Sequence, residues 1–298
     1  MPVQDQEPQG FSGSQSEPAK QPRGLVAFLS QPYSNRTKAL ILALLLALFV
    51  LVLPSPYVIE SPGPTQDVLG RSGSEPVIAI KGAPTFEGKG KLLLLTVNAE
   101  GIPGAPASGL QTLIAWADPH ATVLPQEVVF PPGQSRQDYD KESKKDMSGS
   151  QDSASKQALA FMTKRYGTDT TGVDISMHVE DIGGPSAGLM YTLGAIDKLT
   201  PQDETGGQVI AGTGTMEKGG KVGRIGGIRL KMLGAKRDGA TWFLAPAGNC
   251  DEVVGHVPDG LRDVRVSTLE EAYDALTKIG QGQASSLPHC TVAPSGKS

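Results

Sequence analysis

Ser186 lies in the stretch Asp181-Ile-Gly-Gly-Pro-Ser-Ala-Gly-Leu189, and further along the chain reads Gly226-Gly-Ile-Arg-Leu-Lys231. A serine hydroxyl is a weak nucleophile until a neighbouring base takes its proton. A lysine can be that base only when uncharged, which requires surroundings where charge is costly. Ile228, Lys231, Met232 and Ala235 recur at i, i+3, i+4 and i+7. That spacing predicts a helix after Gly227 with Lys231 on its apolar stripe. The glycines and Pro185 before Ser186 predict a tight turn opening a second helix. Backbone N–H groups of that turn, around Gly184 and Ser186 on either side of Pro185, could hold an oxyanion.

Other readings of the same residues are open. Gly184-Pro-Ser-Ala-Gly188 satisfies the Gly-x-Ser-x-Gly elbow of hydrolases that pair serine with histidine, and His256 and His289 lie downstream. No His-Gly-Gly-Gly oxyanion segment precedes the serine, and a proline sits awkwardly in that strained elbow. Ser186 could instead cap a helix, and Lys231 could snorkel from a surface helix. The phosphate-binding pattern Gly-x-x-x-x-Gly-Lys-Ser/Thr fails at Gly88-Lys89, Gly220-Lys221 and Gly296-Lys297, so the 298 residues hold no recognisable nucleotide loop. The four histidines are scattered, no cluster has metal-ligand spacing, and the chemistry calls for no cofactor.

The elements that must position these groups belong to a loop-rich α/β chain with 37 Gly and 23 Pro. A net charge of −4 without a long basic run argues against a nucleic-acid partner. Residues 39–53 are uninterruptedly apolar, about 22 Å of helix. Lys20, Arg23, Arg36 and Lys38 precede them, and Arg71 is the only cation in the next 20 residues. The charge bias places the N-terminus in the cytoplasm and the chain beyond Pro54 outside. A cleaved signal peptide is the alternative, but Pro54-Ser-Pro-Tyr57 is a poor cleavage site. The expected organisation is therefore a disordered cytoplasmic tail (1–35), a transmembrane signal anchor (36–58), an extracytoplasmic domain (59–280, core 146–280) and a flexible tail (281–298). In an oxidising space the two cysteines, Cys250 and Cys290, favour a disulfide, two free thiols being the alternative.

Strands are predicted at 76–80, 91–97, 126–130, 173–179, 208–212, 240–245 and 263–267. Helices are predicted at 108–116, from about Asp146 to Tyr166, after Ser186, after Gly227, at 251–254 and at 268–279. On the 173–179 strand His178 faces the polar side, a weak site candidate.

Gly183-Gly-Pro-Ser-Ala-Gly-Leu189, Ala211-Gly-Thr-Gly-Thr215, Lys221-Val-Gly-Arg-Ile-Gly-Gly227 and Lys231 resemble the proteolytic domain of Lon. The nearest match is its membrane-anchored, ATP-independent branch in Gram-positive and actinobacterial species. The resemblance implies the Lon α/β fold, Ser186 as nucleophile, Lys231 as general base, protein or peptide substrates, and a homo-oligomeric, hexameric ring. It also implies a threonine supporting the lysine. ATP-driven members carry it where Ala211 stands here, so Thr213 or Thr215 would supply that hydroxyl. Secreted relatives usually insert a PDZ module between the helix near Ala158 and the strand near Ile175. Only Gly167 to Gly172 joins them here, too short for a domain of roughly 80 residues. That loss leaves room for a non-enzymatic peptide-binding scaffold as the competing function.

Overall fold

The computed structural model describes residues 34–179 and 184–291. The first 33 residues, Glu180 to Gly183 and the last seven residues lie outside that description, and with them most of the expected N-terminal tail and the first glycine of the serine turn. The chain divides into two units, residues 1–50 and 51–298. Helix α1, Asn35–Val52, dominates the described part of the first unit. It has no buried residue and is long and apolar enough to cross a membrane.

The second unit is built on a six-stranded sheet. Its strands are β1 (Tyr57–Asp67), β5 (Lys91–Glu100), β6 (Thr122–Pro125), β8 (Val209–Gly212), β11 (Trp242–Pro246) and β12 (Arg262–Val266). Short ribbons pair β2 (Arg71–Ser72) with β3 (Glu75–Pro76), β4 (Ile78–Lys81) with β7 (Asp174–Met177), and β9 (Thr215–Met216) with β10 (Val222–Gly223). The order across the large sheet is β12-β11-β8-β5-β1-β6. β12, β11, β8 and β5 run parallel, and β1 returns antiparallel between β5 and β6.

Helices cover both faces, so the central strands read as continuous apolar runs. Alternation along each strand sends residues to opposite sides. Leu92, Leu94, Ile210 and Leu244 join one core with helices α4 (Arg136–Tyr166), α5 (Gly188–Leu199) and α8 (Leu269–Gly280). Leu93, Leu95, Ala211, Phe243 and Ala245 join the other, with Ile228, Met232 and Ala235 of α6 (Ile228–Arg237) and Val253 of α7 (Cys250–Val253). The expected α/β class is the one observed.

Three expectations need correcting. The predicted strand at 126–130 is a single helical turn, α3 (Gln126–Val129), with the Phe130 N–H bonded to the Gln126 carbonyl. Strand β6 has already ended at Pro125, and the chain must turn there. Helix α4 starts ten residues before Asp146, at Arg136, because the Ser135 hydroxyl caps the Asp138 N–H. Its first turns are largely exposed, so they show no apolar period. The stretch from 281 is not loose through Thr291. Leu287 is buried, the Pro288 carbonyl accepts from Arg265 N–H, and Cys290 is disulfide-bonded to Cys250.

Helix α2 (Gly109–Ala117) opens on a capping box between Ser108 and Gln111. It is tied to the end of the apolar run and the residues just after it: Gly109 N–H donates to the Leu53 carbonyl, and Ser55 N–H to the Ala107 carbonyl.

Candidate functional site

Ser186 sits in a 3₁₀ turn, Pro185–Ala187, that runs directly into α5. Gly184 leads in at φ 93°, a left-handed conformation that a side chain would strain. Pro185 follows at the first helical position, where its missing N–H costs nothing. The turn is fixed from three directions. Gly214 N–H and the Thr213 hydroxyl both donate to the Ser186 carbonyl, at 2.9 and 3.1 Å. The Ser150 hydroxyl of α4 donates to the Pro185 carbonyl at 3.0 Å. Leu189 N–H returns to the Gly214 carbonyl. Only backbone and small groups fit this close approach: a Cβ on Gly188 would lie 2.9 Å from the Met216 nitrogen.

Lys231 arrives from α6, whose start is equally constrained. Gly227 caps the helix at φ 67°, and a Cβ there would strike Val97 Cγ2 at 2.8 Å. The preceding loop hangs on Asn249, which is fully buried. Its side chain accepts from Ile225 N–H at 3.0 Å and donates to the Ile225 carbonyl at 2.8 Å. Ile228, Met232 and Ala235 are buried as the periodicity predicted, and Lys231 lies among them at 4% exposure.

These constraints bring Lys231 Nζ to 2.7 Å from Ser186 Oγ. Nζ also donates to Thr213 Oγ1 at 3.4 Å. The Thr213 hydroxyl therefore touches both residues, donating to the Ser186 carbonyl and accepting from Lys231 Nζ. Thr215, the other candidate, lines the cleft nearby and makes no hydrogen bond to Lys231 among the described residues. Burial pushes the Lys231 ammonium down to about 8, against a smaller opposing pull from the Glu60 carboxylate. Burial in turn raises the Glu60 carboxyl, with the Lys231 charge opposing.

Glu60, Ser150 and Asn249 are site residues that sequence reasoning missed. Glu60 lies on β1, far from both site blocks in the chain, and nothing in its local pattern marks it. Asn249 ends the 3₁₀ turn Ala247–Asn249 just before Cys250, where no motif marks it, and only its burial reveals its task.

The cleft beside Ser186 and Lys231 has a volume of about 980 Å³. Residues 95–98 of β5, Phe130, Tyr139 and Asp146 are among those that line it. None of the four histidines lines it. His256 is exposed, His178 lies on an exposed edge, and His289 faces Asp263 at 3.3 Å. The serine–histidine elbow is thus not assembled. Among the described residues no group of three His, Cys, Asp or Glu side chains could hold a metal.

A hydroxyl at a helix start thus stands in contact with a buried amine of a second helix, both packed on a mixed α/β sheet. Comparison with known proteins assigns the chain to a family. Residues 96–279 match the Lon protease (S16) C-terminal proteolytic domain. The chain belongs to that family. It is 33% identical over 134 residues to the mitochondrial Lon protease homolog of Candida dubliniensis, covering 41% of this chain and 12% of that protein. It is 34% identical over 116 residues to the Lon protease of Clostridioides difficile, 36% of this chain and 14% of that one. The Lon protease of Methanosphaera stadtmanae matches over 194 residues at 31% identity, 59% of this chain and 22% of that one. The matched segment thus covers between about an eighth and a fifth of these relatives.

Proposed function

We propose that this chain is a membrane-anchored serine endopeptidase that works without ATP through a Ser186–Lys231 dyad. The observation that carries the reading is the 2.7 Å contact between Lys231 Nζ and Ser186 Oγ inside a site that disfavours the ammonium. In the reactive form Lys231 is neutral, and the Ser186 hydroxyl donates to its lone pair. Ser186 Oγ attacks a peptide carbonyl as its proton passes to Lys231. The oxyanion forms beside the backbone N–H groups of the Gly184–Ser186 turn at the start of α5, where helix polarity favours negative charge. Lys231 then returns its proton to the leaving amine, and water repeats the sequence on the acyl-enzyme. Thr213 keeps Nζ pointed at Oγ. Glu60 limits how far the lysine pKa falls.

The apolar helix Asn35–Val52 supports a single membrane crossing, and the charge bias beside it supports a cytoplasmic N-terminus with the protease domain outside. The same reading assigns residues 36–53 to the anchor and the chain from β1 onward to the protease; Tyr57 and Val58, expected within the anchor, pair in β1, where Val58 is fully buried. A Cys250–Cys290 disulfide suits that compartment. No nucleotide loop is recognisable in the 298 residues, so the substrates are flexible or unfolded polypeptides near the outer membrane face. Kinship with Lon supports a homo-oligomeric ring, a hexamer, as the working assembly.

The test is hydrolysis of casein and of a fluorogenic peptide. Ser186→Ala and Lys231→Ala abolish turnover in this account, while His256→Ala leaves it unchanged. Turnover that survives Lys231→Ala and disappears with His256→Ala transfers the chemistry to the serine–histidine pair. A wild-type chain with no turnover at any pH favours the peptide-binding scaffold.

A further inference from the structure

Helix α2 presents an uncharged, largely apolar surface that no other element covers among the described residues. Its sequence, Gly109-Leu-Gln-Thr-Leu-Ile-Ala-Trp-Ala117, carries no charge. Thr112 and Ala115 turn inward. Leu110, Leu113, Ile114 and Trp116 turn out, Ile114 at 62% and Trp116 at 59% exposure. A run of large apolar side chains left exposed together marks an interaction surface.

Its place in the chain identifies the partner. The first N–H of α2 is bonded to the carbonyl of Leu53, the last residue of the apolar run. Pro54 bridges to Ser108, and the Thr112 hydroxyl donates to Ser55 Oγ at 2.8 Å. The helix is therefore fastened to the point where the chain leaves the apolar span. It is only about 14 Å long, so it cannot reach far from that point. Tyr57 packs edge-on against Trp116, with ring centres 5.4 Å apart. Tyrosine and tryptophan gather at the headgroup level of bilayers. A short helix with an apolar face, held at the end of a membrane span, fits the interfacial layer.

We propose that α2 lies in the outer headgroup region of the bilayer that the N-terminal helix crosses, with Leu113, Ile114 and Trp116 in contact with lipid. The proposal rests on the anchor reading. It adds that the protease domain is held by its α2 face rather than swinging from a tether. Because the cleft belongs to the same unit as α2, the opening would keep a constant height above the membrane.

The protein has two tryptophans, and the other, Trp242, is buried. The full chain carrying Trp242→Phe is reconstituted into phosphatidylcholine vesicles, and Trp116 emission is compared with and without bromine on the acyl chains. An interfacial indole loses about half its emission to the brominated lipid, and Leu113→Asp/Ile114→Asp restores most of it. Carbonate extraction of the same vesicles reports on the anchor separately. A carbonate-resistant chain whose Trp116 is not quenched keeps the anchor and overturns the docking. If that emission is also blue-shifted in plain vesicles, the face is covered by protein, such as a second copy. A chain that carbonate strips away overturns the anchor, and the docking with it.

Discussion

The pH dependence of peptide cleavage tests the chemistry at its most exposed point. Lysine has an ordinary pKa of 10.5, and here burial brings Lys231 to about 8. At pH 7 that leaves about 9% of the sites with a neutral amine, against about 0.03% for an unperturbed lysine, a gain of about 300-fold in reactive enzyme. The neutral fraction rises about 90-fold between pH 6 and pH 9 and then levels off. The value of kcat/KM for a soluble fluorogenic peptide should follow the same curve, climbing tenfold per pH unit on the acid side and bending near pH 8. Glu60→Gln removes the negative charge that holds the lysine pKa up, so the bend should move to lower pH. A bend near pH 10 would mean that burial does not lower this amine. A bend near 6.5 that disappears with His256→Ala would give the proton to an imidazole.

Other expectations follow from the same contacts. Because the folded-state pKa of Lys231 lies below its unfolded value, the unfolded chain binds more protons between about pH 8 and 10.5. Stability should rise with pH across that window, the penalty being fully present below it. Lys231→Met should therefore abolish turnover yet stabilise the fold at pH 7 by about 1–3 kcal/mol, read by urea unfolding; a destabilised variant would contradict this. Thr213→Val removes the hydroxyl that touches both Ser186 and Lys231, and kcat should fall about 10- to 100-fold with little change in KM, a part of what a positioned base supplies. The Cys250–Cys290 bond closes a loop with a sequence separation of 40. Reducing it, or making Cys290→Ser, should lower unfolding stability by about 2–4 kcal/mol while leaving a folded, active enzyme at 25 °C. Unchanged stability under reductant would show that the C-terminal segment is held by its other contacts alone.

The two halves of the site were legible for different reasons. Ser186 announces itself because a strained turn needs glycine and proline, and those residue types are visible one by one. Lys231 is visible because a helix imposes its period on the sequence, and a charged residue in an apolar period stands out. The α/β class was legible because strands buried on both faces must be apolar where they cross the core, as Leu92-Leu-Leu-Leu95 is. What could not be read comes from pairing between distant segments. Glu60 meets Lys231 only because β1 folds back beside β5, and strand order leaves no local trace. Thr213 and Thr215 are indistinguishable in sequence, and the backbone path after β8 is what selects Thr213. The start of α4 was missed because an exposed helix needs only a cap and good helix formers, not an apolar face. The turn at Gln126–Val129 reads as a strand in sequence because four residues are too few to separate a period of 2 from one of 3.6.

The central claim is that Lys231 makes the Ser186 hydroxyl reactive, and covalent labelling measures that without any substrate. Intact-mass spectrometry of the chain after treatment with a fluorophosphonate at pH 9 should show one adduct, mapped to Ser186. The rate should fall at least about 100-fold in Lys231→Ala and stay unchanged in His256→Ala. Labelling of Ser186 at the wild-type rate in the Lys231→Ala protein would contradict the account.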